Sequence, residues 1–389
     1  MFPTLGDLVK SLTGIDLSFL YIFQMFGLMM AVAFLSAAYV LFKELKRKET
    51  EGLLQPVFRN IIIGQPASVS ELMINALIGF VVGFKVIGIF FNLSVFTANP
   101  QAFVFSMQGS WLGAIAIGSF FSYSKYYEKK KQQLPEPKNE LVKLYPSQLV
   151  SEIVIYAAIF GLIGAKLFDN LENPSFFFEN PIEAMISFSG LTWYGGLILA
   201  AGAIIYYCIK NKIPVIHMAD AMGPTLILGY AVGRIGCQLS GDGDWGINNT
   251  APKPSALSFL PDWMWSYKFP HNVINEGVPI ENCLGKHCYE LPFPVYPTPF
   301  YEVIMCLFIF GVLWYLRKRI TTAGLLFSIY LILNGIERFS IEQIRVNSQY
   351  HIFGFAPTQA EIIAVVMVLV GIAGIFWSIK KNQLLKKNI

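Results

Sequence analysis

Charge is what this sequence has least of. Asp, Glu, Lys and Arg make up 14% of its 389 residues, against about 25% in soluble domains, which excludes a chain solvated on all sides. Also missing are the P-loop, the GxSxG elbow and the HExxH helix. Their absence removes the commonest signatures of phosphate cradles, serine hydrolases and zinc peptidases. The N-terminal stretch lacks the short basic-then-apolar pattern of a cleavable signal. Cysteine is scarce, with five residues. Cys208, Cys237 and Cys306 fall in apolar stretches, where a thiol reads as a small packing group.

What fills the chain instead is apolar. Hydrophobic residues make up 54% of it, and the mean hydropathy is +0.53. Runs that reach or approach the ~20 residues needed to cross a ~30 Å hydrocarbon core are expected near 18–42, 72–93, 108–124, 149–169, 187–208, 216–239, 299–316, 323–344 and 357–379. The fold class is therefore all-α, a polytopic membrane bundle of about nine spans forming one transmembrane domain over 1–389. The 15% of aromatic residues is what interfacial belts require.

Alternate connections carry the cations. Lys43, Lys46, Arg47, Lys48 and Arg59 follow the first span, and Lys125, Lys129, Lys130, Lys131, Lys138 and Lys143 the third. Lys210 and Lys212 follow the fifth, Arg317, Lys318 and Arg319 the seventh, and Lys380, Lys381, Lys386 and Lys387 the ninth. The positive-inside rule then sets the N-terminus outside and the C-terminus in the cytoplasm, with a re-entrant course open for the short fifth and sixth spans. The loop 247–298 faces outside and holds Cys283 and Cys288 in ENCLGKHC. A local disulfide fits an oxidising compartment; a metal site with His287 is the rival, one ligand short of four.

An internal repeat runs through the first half. Val69-Ser70-Glu71 recurs as Val150-Ser151-Glu152, and Gly83-Phe84-Lys85 as Gly164-Ala165-Lys166, both at an offset of 81. Ser110-Trp111-Leu112-Gly113 parallels Thr192-Trp193-Tyr194-Gly195 at an offset of 82. The reading is a helix pair over 69–125 that resembles the pair over 150–207, both entered from the cytoplasm. Parallel repeats occur in transporters; duplication with one copy losing its chemistry is as natural, since Leu112 stands where the other copy has the Tyr194 hydroxyl.

The ionisable residues inside spans are costly and mark a protein interior or a wet cavity. At ~1.5 Å per residue, Arg234 stands roughly 27 Å and Arg338 roughly 22 Å above the cytoplasmic starts of their spans. Lys85 and Lys166 fall at similar heights; Tyr194, Tyr301 and Glu302 open spans from outside. Arg338, Glu342 and Arg345 in ERFSIEQIR lie on one helical face. Two arginines against one carboxylate, joined by Arg234, leave a positive excess at headgroup depth, suited to phosphate oxygens. The plainer alternative is a set of snorkelling or mutually neutralised structural charges. Asp242-Gly243-Asp244 resembles half a calcium loop without the remaining ligands and reads as a turn in which Asp242 pairs with an arginine. His217 and Asp220 read as capping and interface residues.

These residues resemble the prolipoprotein diacylglyceryl transferase family. Gly233-Arg234-Ile235-Gly236 and Gly241 match its signature, approximately G-R-x-G-N-F-x-N-G-E-x-x-G. Cys237, Gln238, Ser240 and Asp242 stand for Asn, Phe, Asn and Glu, and one extra residue precedes Gly246. H-G-G-L occurs as Tyr194-Gly195-Gly196-Leu197, and H-P-[ST]-x-x-Y-E as Tyr296-Pro297-Thr298-Pro299-Phe300-Tyr301-Glu302. R-x-x-x-E-x-x-R is complete in Arg338, Glu342 and Arg345, and Gln359 matches a glutamine opening the last span. The elements cover about 144–379 in family order, plus the first span, with 69–125 and much of 247–294 as insertions.

The resemblance implies an enzyme that moves diacylglycerol from phosphatidylglycerol to the lipobox cysteine of a prolipoprotein signal peptide, in the bacterial inner membrane. Glycerol 1-phosphate would leave and a thioether remain, with no cofactor, no metal and no nucleic-acid partner. Tyr194, Arg234, Arg338, Glu342 and Asp242 would be catalytic. Gly195, Gly196, Tyr296, Tyr301, Glu302, Arg345, Lys166 and Gln359 would contact substrate, with Gly195 and Gly196 letting backbone approach the headgroup. Tyrosines replace both family histidines, and a neutral tyrosine is a poor base at neutral pH, so Tyr194, Asp242 and Glu342 all stand as acceptors of the thiol proton. A lipid or anionic-solute transporter, and a catalytically impaired lipid-binding protein, are the competing readings.

Overall fold

Long apolar runs satisfy their backbone polar groups internally only as helices, and that is how this chain folds. The computed structural model describes residues 1–98, 103–104, 106–186, 192–283, 285–347, 350 and 356–387. The start of the expected fifth span, 187–191, lies outside them. Among the described residues, nine helices have 18 residues or more, one for each expected span. Six of these are long and apolar enough to cross a membrane by length and composition, and Tyr194–Lys210 is a shorter apolar helix. The protein is a multi-pass membrane protein.

Contacts divide the chain into two compact units, Met1–Gln55 with Pro146–Val154 and Ile205–Ile389, and Pro56–Tyr145 with Ile155–Ile204. The first unit opens on α1 (Leu5–Thr13), an amphipathic helix whose capping box pairs Thr4 with Asp7. The next helix, α2 (Met25–Thr50), begins seven residues later than the expected span, because Ser18–Ile22 forms a 3-10 turn. It packs along α7 (Val215–Ser240), which packs in turn on α8 (Thr298–Leu316); α9 (Leu325–Glu342) lies against α8 and α10 (Gln359–Lys387). Ile227 and Ala231 of α7, Cys306, Ile309 and Leu313 of α8, and Leu326 and Tyr330 of α9 form the core, and Cys306 is packing material there, as its apolar setting implies.

One end of this helix set is held by buried charge. Arg317 binds Glu44 at 2.6 Å, Arg47 pairs with the same carboxylate, and Lys48 lies 3.8 Å from Asp220. Asp220 also accepts the backbone N–H groups of Gly324 and Phe327 at 2.8 and 3.0 Å. It caps α9 from α7, the role expected of it. Buried groups of both signs that satisfy one another avoid the cost of a lone charge.

The second unit contains α3 (Val69–Phe91), α4 (Trp111–Gln132), most of α5 (Val150–Glu172) and the first part of α6 (Trp193–Lys210). α3 and α5 both have 23 residues and start 81 apart. In the first pair a Cβ on Gly83 would stand 2.2 Å from the Gly113 carbonyl oxygen; in the second, a Cβ on Gly164 would stand 2.3 Å from that of Gly195. Only glycine permits helix axes to cross this closely. Equivalent hydrogen bonds run from Ser110 N–H to the Phe84 carbonyl, 2.9 Å, and from Thr192 N–H to the Ala165 carbonyl, 3.1 Å. Two strands, β1 (Val57–Ile63) and β2 (Lys138–Leu144), pair antiparallel from Val57↔Leu144 to Ile63↔Lys138 and bracket α3 and α4.

Candidate functional site

At the end of the first unit opposite the Glu44 network, α7 stops where Gly241 takes a left-handed conformation (φ 64°) and donates to the Cys237 carbonyl. Gly243, at φ 99°, turns the chain again, in a region that favours glycine. The double turn swings Asp244 back onto Arg234, ten residues earlier, in a direct ion pair. Thr298 Oγ1, at the start of α8, donates to the Asp244 carbonyl at 2.6 Å and fixes the turn.

Next the chain threads a gap that admits no side chain. Gly246 forms a β-bridge with Arg345 and donates to the Tyr296 carbonyl at 2.9 Å. A Cβ there would lie 2.4 Å from the Ile344 carbonyl oxygen. Gly246 therefore ties the α7 turn to the segment that follows α9.

Glu302, the fifth residue of α8 and fully buried, is the hub. Its Oε2 lies 3.0 Å from Arg234 Nε. Its Oε1 lies 3.4 Å from Arg338 and 3.5 Å from Arg345, and accepts the Tyr230 hydroxyl at 2.9 Å. Arg338 also binds Glu342 at 2.8 Å, and Glu342 accepts Asn347 Nδ2 at 2.5 Å. Arg345 closes the group by binding Asp244 at 2.5 Å. The positive excess expected from the α9 spacing is not what the structure holds: Asp244, Glu302 and Glu342 balance the three arginines, since Asp244 and Glu302 reach the group from other segments.

Asp244, not Asp242, is the carboxylate paired with arginine. The extra residue before Gly246 displaces the acidic position, and the glycine turn brings the later aspartate inward. Burial would raise the Asp244 pKa, but Arg234 and Arg345 hold it below the ordinary carboxylate value. Asp242 goes the other way: burial, and then the Asp244 charge, push it up. Cys237 is no mere packing thiol, because its Sγ lies 3.8 Å from Arg234. The ligand atoms of Cys237, Asp242 and Asp244 lie within 4.8 Å of one another, the one metal-compatible group among the described residues. Asp244 is already committed to two arginines.

The Tyr296 ring packs on Trp265, 5.8 Å between centroids, and the Tyr301 hydroxyl donates to the Trp265 carbonyl at 3.3 Å; both serve the loop between α7 and α8. Gln359 is exposed at the first residue of α10. Beside it Thr358 and Glu361 cap the helix reciprocally, and Glu361 accepts Gln343 Nε2 at 2.6 Å. Tyr194, Gly195, Gly196 and Lys166 belong to the second unit. There Gly195 and Gly196 are buried against Gly164 and Gly161 of α5, so their missing side chains serve helix packing. Tyr194 is half-buried in the first turn of α6, and Lys166 lies 3.5 Å from Asp169.

Phe269, Leu291 and Val295 of the loop 247–298 form a small core with Trp245 just before it. Cys283 and Cys288 are disulfide-bonded with Cα atoms 5.6 Å apart, so these thiols are not metal ligands. Two further residues belong to the cluster: Asp244, which the sequence shows only as part of a turn, and Tyr230, which no motif singles out. A third, Glu337, precedes Arg338, is 1% exposed, and neither of its oxygens is hydrogen-bonded among the described residues.

The family described as prolipoprotein diacylglyceryl transferase matches residues 115–377. A phosphatidylglycerol–prolipoprotein diacylglyceryl transferase of Corynebacterium glutamicum is 28% identical over 243 residues, covering 61% of this chain and 71% of the relative. Relatives of the same name from Buchnera aphidicola and Staphylococcus haemolyticus are 25% and 27% identical, covering 70% and 75% of this chain and 94% and 92% of their own.

Proposed function

The chain belongs to the prolipoprotein diacylglyceryl transferase family, and on that premise we propose that its arginine cluster holds the phosphate of phosphatidylglycerol during transfer. The reaction moves diacylglycerol from phosphatidylglycerol to a prolipoprotein. The lipobox cysteine is the acceptor: its thiolate attacks the glycerol carbon bonded to the phosphate ester oxygen. That C–O bond breaks, a C–S thioether forms, and glycerol 1-phosphate leaves with the electron pair. A thiolate is already a strong nucleophile, so the main demand is stabilisation of charge on the departing phosphate.

The observation that carries this reading is the convergence of Arg234, Arg338 and Arg345 on Glu302 and Asp244. Buried carboxylates hold the guanidinium groups in place, so receiving the anion requires only that one carboxylate give way. Asp244 serves as a stand-in anion between Arg234 and Arg345; the phosphate replaces it, and the Gly243 turn lets it withdraw. Glu302 and Glu342 stay, orienting Arg234 and Arg338.

Asp242 is the acceptor of the thiol proton. No arginine ion pair involves it among the described residues, and its raised pKa suits a base working near neutral pH. Glu342, bound to Arg338 and Asn347, is spoken for. The setting is the bacterial inner membrane with the site facing the outer leaflet, in line with the cation-poor connections at this end of α7 and α8.

The test supplies purified protein with phosphatidylglycerol and a lipobox-containing signal peptide and follows glycerol phosphate release and peptide mass. Release with a matching mass gain is expected. Intact lipid binding without release would overturn the proposal.

A further inference from the structure

The loop between α7 and α8 contains a stretch that the site does not use. Asn249 closes its base from one side: Nδ2 donates to the Trp265 carbonyl at 2.7 Å and its own carbonyl accepts Ser266 Oγ at 2.9 Å. Between these points the chain makes a compact Ω-loop with 3-10 turns at Ser255–Leu257 and Asp262–Met264. Lys253 fastens it internally, donating to the Leu260 carbonyl at 2.7 Å and to Asp262 at 2.6 Å. Trp265 Nε1 donates to the Ala251 carbonyl at 3.0 Å.

So rigid a loop ought to bury its apolar side chains, and this one does the reverse at its tip. Phe259 is 78% exposed and Trp263 37%. The one charged pair within the loop neutralises itself. Its stem is fixed to a spanning helix: Trp263 packs edge-on against Phe300 at 5.0 Å, and the Tyr301 hydroxyl donates to the Trp265 carbonyl. Phe300 and Tyr301 lie in the first turn of α8, where a spanning helix enters the membrane. Aromatic side chains at that level are those of an interfacial belt, and a neutral apolar tip beside them favours the headgroup–acyl boundary.

We infer that residues 249–266 form a membrane-inserted finger, with Phe259 in the lipid leaflet at the α8 N-terminal end and Trp263 at the headgroup level. The finger meets α8 one residue before Glu302. Its seat in the lipid therefore sets the depth of the carboxylate that gathers the arginines.

The experiment needs no turnover, so its outcome is separate from that of the transferase proposal. A nitroxide is placed on Phe259→Cys in the full chain reconstituted in phosphatidylglycerol-containing vesicles; the native free thiols Cys208, Cys237 and Cys306 are buried. A second label on Glu281→Cys, an exposed position elsewhere in the same loop, is the reference. Collision with oxygen is expected to exceed collision with a water-soluble nickel chelate at 259, and the order to reverse at 281. Nickel dominance at both positions would overturn the inference, showing a solvated loop. Loss of both collisions at 259 would overturn it too, showing a protein groove as the occupant.

Discussion

Asp244 and Arg345, 101 residues apart in the chain, meet at 2.5 Å. The contact makes a loop residue part of a site whose other members come from α7, α8 and α9. It also explains how three arginines coexist within one protein interior: three carboxylates pair with them.

Replacing Arg234 or Arg338 by Ala should nearly abolish turnover, by about 100-fold or more, the scale seen when one preorganised donor to developing charge is removed. Lysine should rescue neither, because a point charge cannot bridge a carboxylate and a phosphate as the guanidinium fork does. Glycerol phosphate release by the four variants measures this, and full activity in either alanine variant removes that residue from the site.

Asp242→Asn and Asp244→Asn should fail differently. Loss of the proposed base lowers kcat by about 10²-fold or more with KM little changed. Loss of the Asp244 charge leaves Arg234 and Arg345 with Glu302 as their shared carboxylate, at a cost of about 2 kcal/mol in stability. Thermal unfolding alongside steady-state kinetics distinguishes them.

The pH dependence carries a sign. The proposed base Asp242 would act deprotonated, and its pKa is raised by burial and by Asp244, so kcat/KM should fall with decreasing pH through a value above the ordinary carboxylate pKa. That acid limb should vanish in Asp242→Asn. Asp244 has a depressed pKa. Its contribution to stability is fully present above its unfolded value of about 3.9 and is lost as pH falls through the lower, folded value.

Gly246→Ala should be as damaging as an arginine change although it removes no chemistry. The added Cβ meets the Ile344 carbonyl oxygen at 2.4 Å, so the bridge to Arg345 must open. A drop in the unfolding midpoint together with lost turnover is expected; an unchanged midpoint would show that the gap can widen.

Glu337→Leu should raise the unfolding midpoint, because a buried carboxyl without a hydrogen bond costs about 1–3 kcal/mol. Should activity fall while the midpoint rises, Glu337 takes part in the reaction.

The helices were legible in the sequence because hydrocarbon thickness sets a length that apolar runs either meet or miss. Arg338, Glu342 and Arg345 were legible because helical spacing puts them on one face. Asp244 was hidden: nothing in GDGDWG tells which aspartate turns inward until Gly243 takes its positive φ. The packing of Gly195 and Gly196 on α5 was not legible because a glycine pair looks the same whether it faces a ligand or a neighbouring helix. The β1–β2 pairing lies across 74 residues, from Ile63 to Lys138 at its near end, and its short polar-flanked strands carry no signal comparable to a span.

Val57 opposite Leu144 puts the entrance and the exit of 57–144 side by side. A segment whose two ends are neighbours is a cassette: it can be gained or excised in a single event while the chain on either side keeps its course. α3 and α4, with their own glycine crossing, lie between those two neighbouring ends.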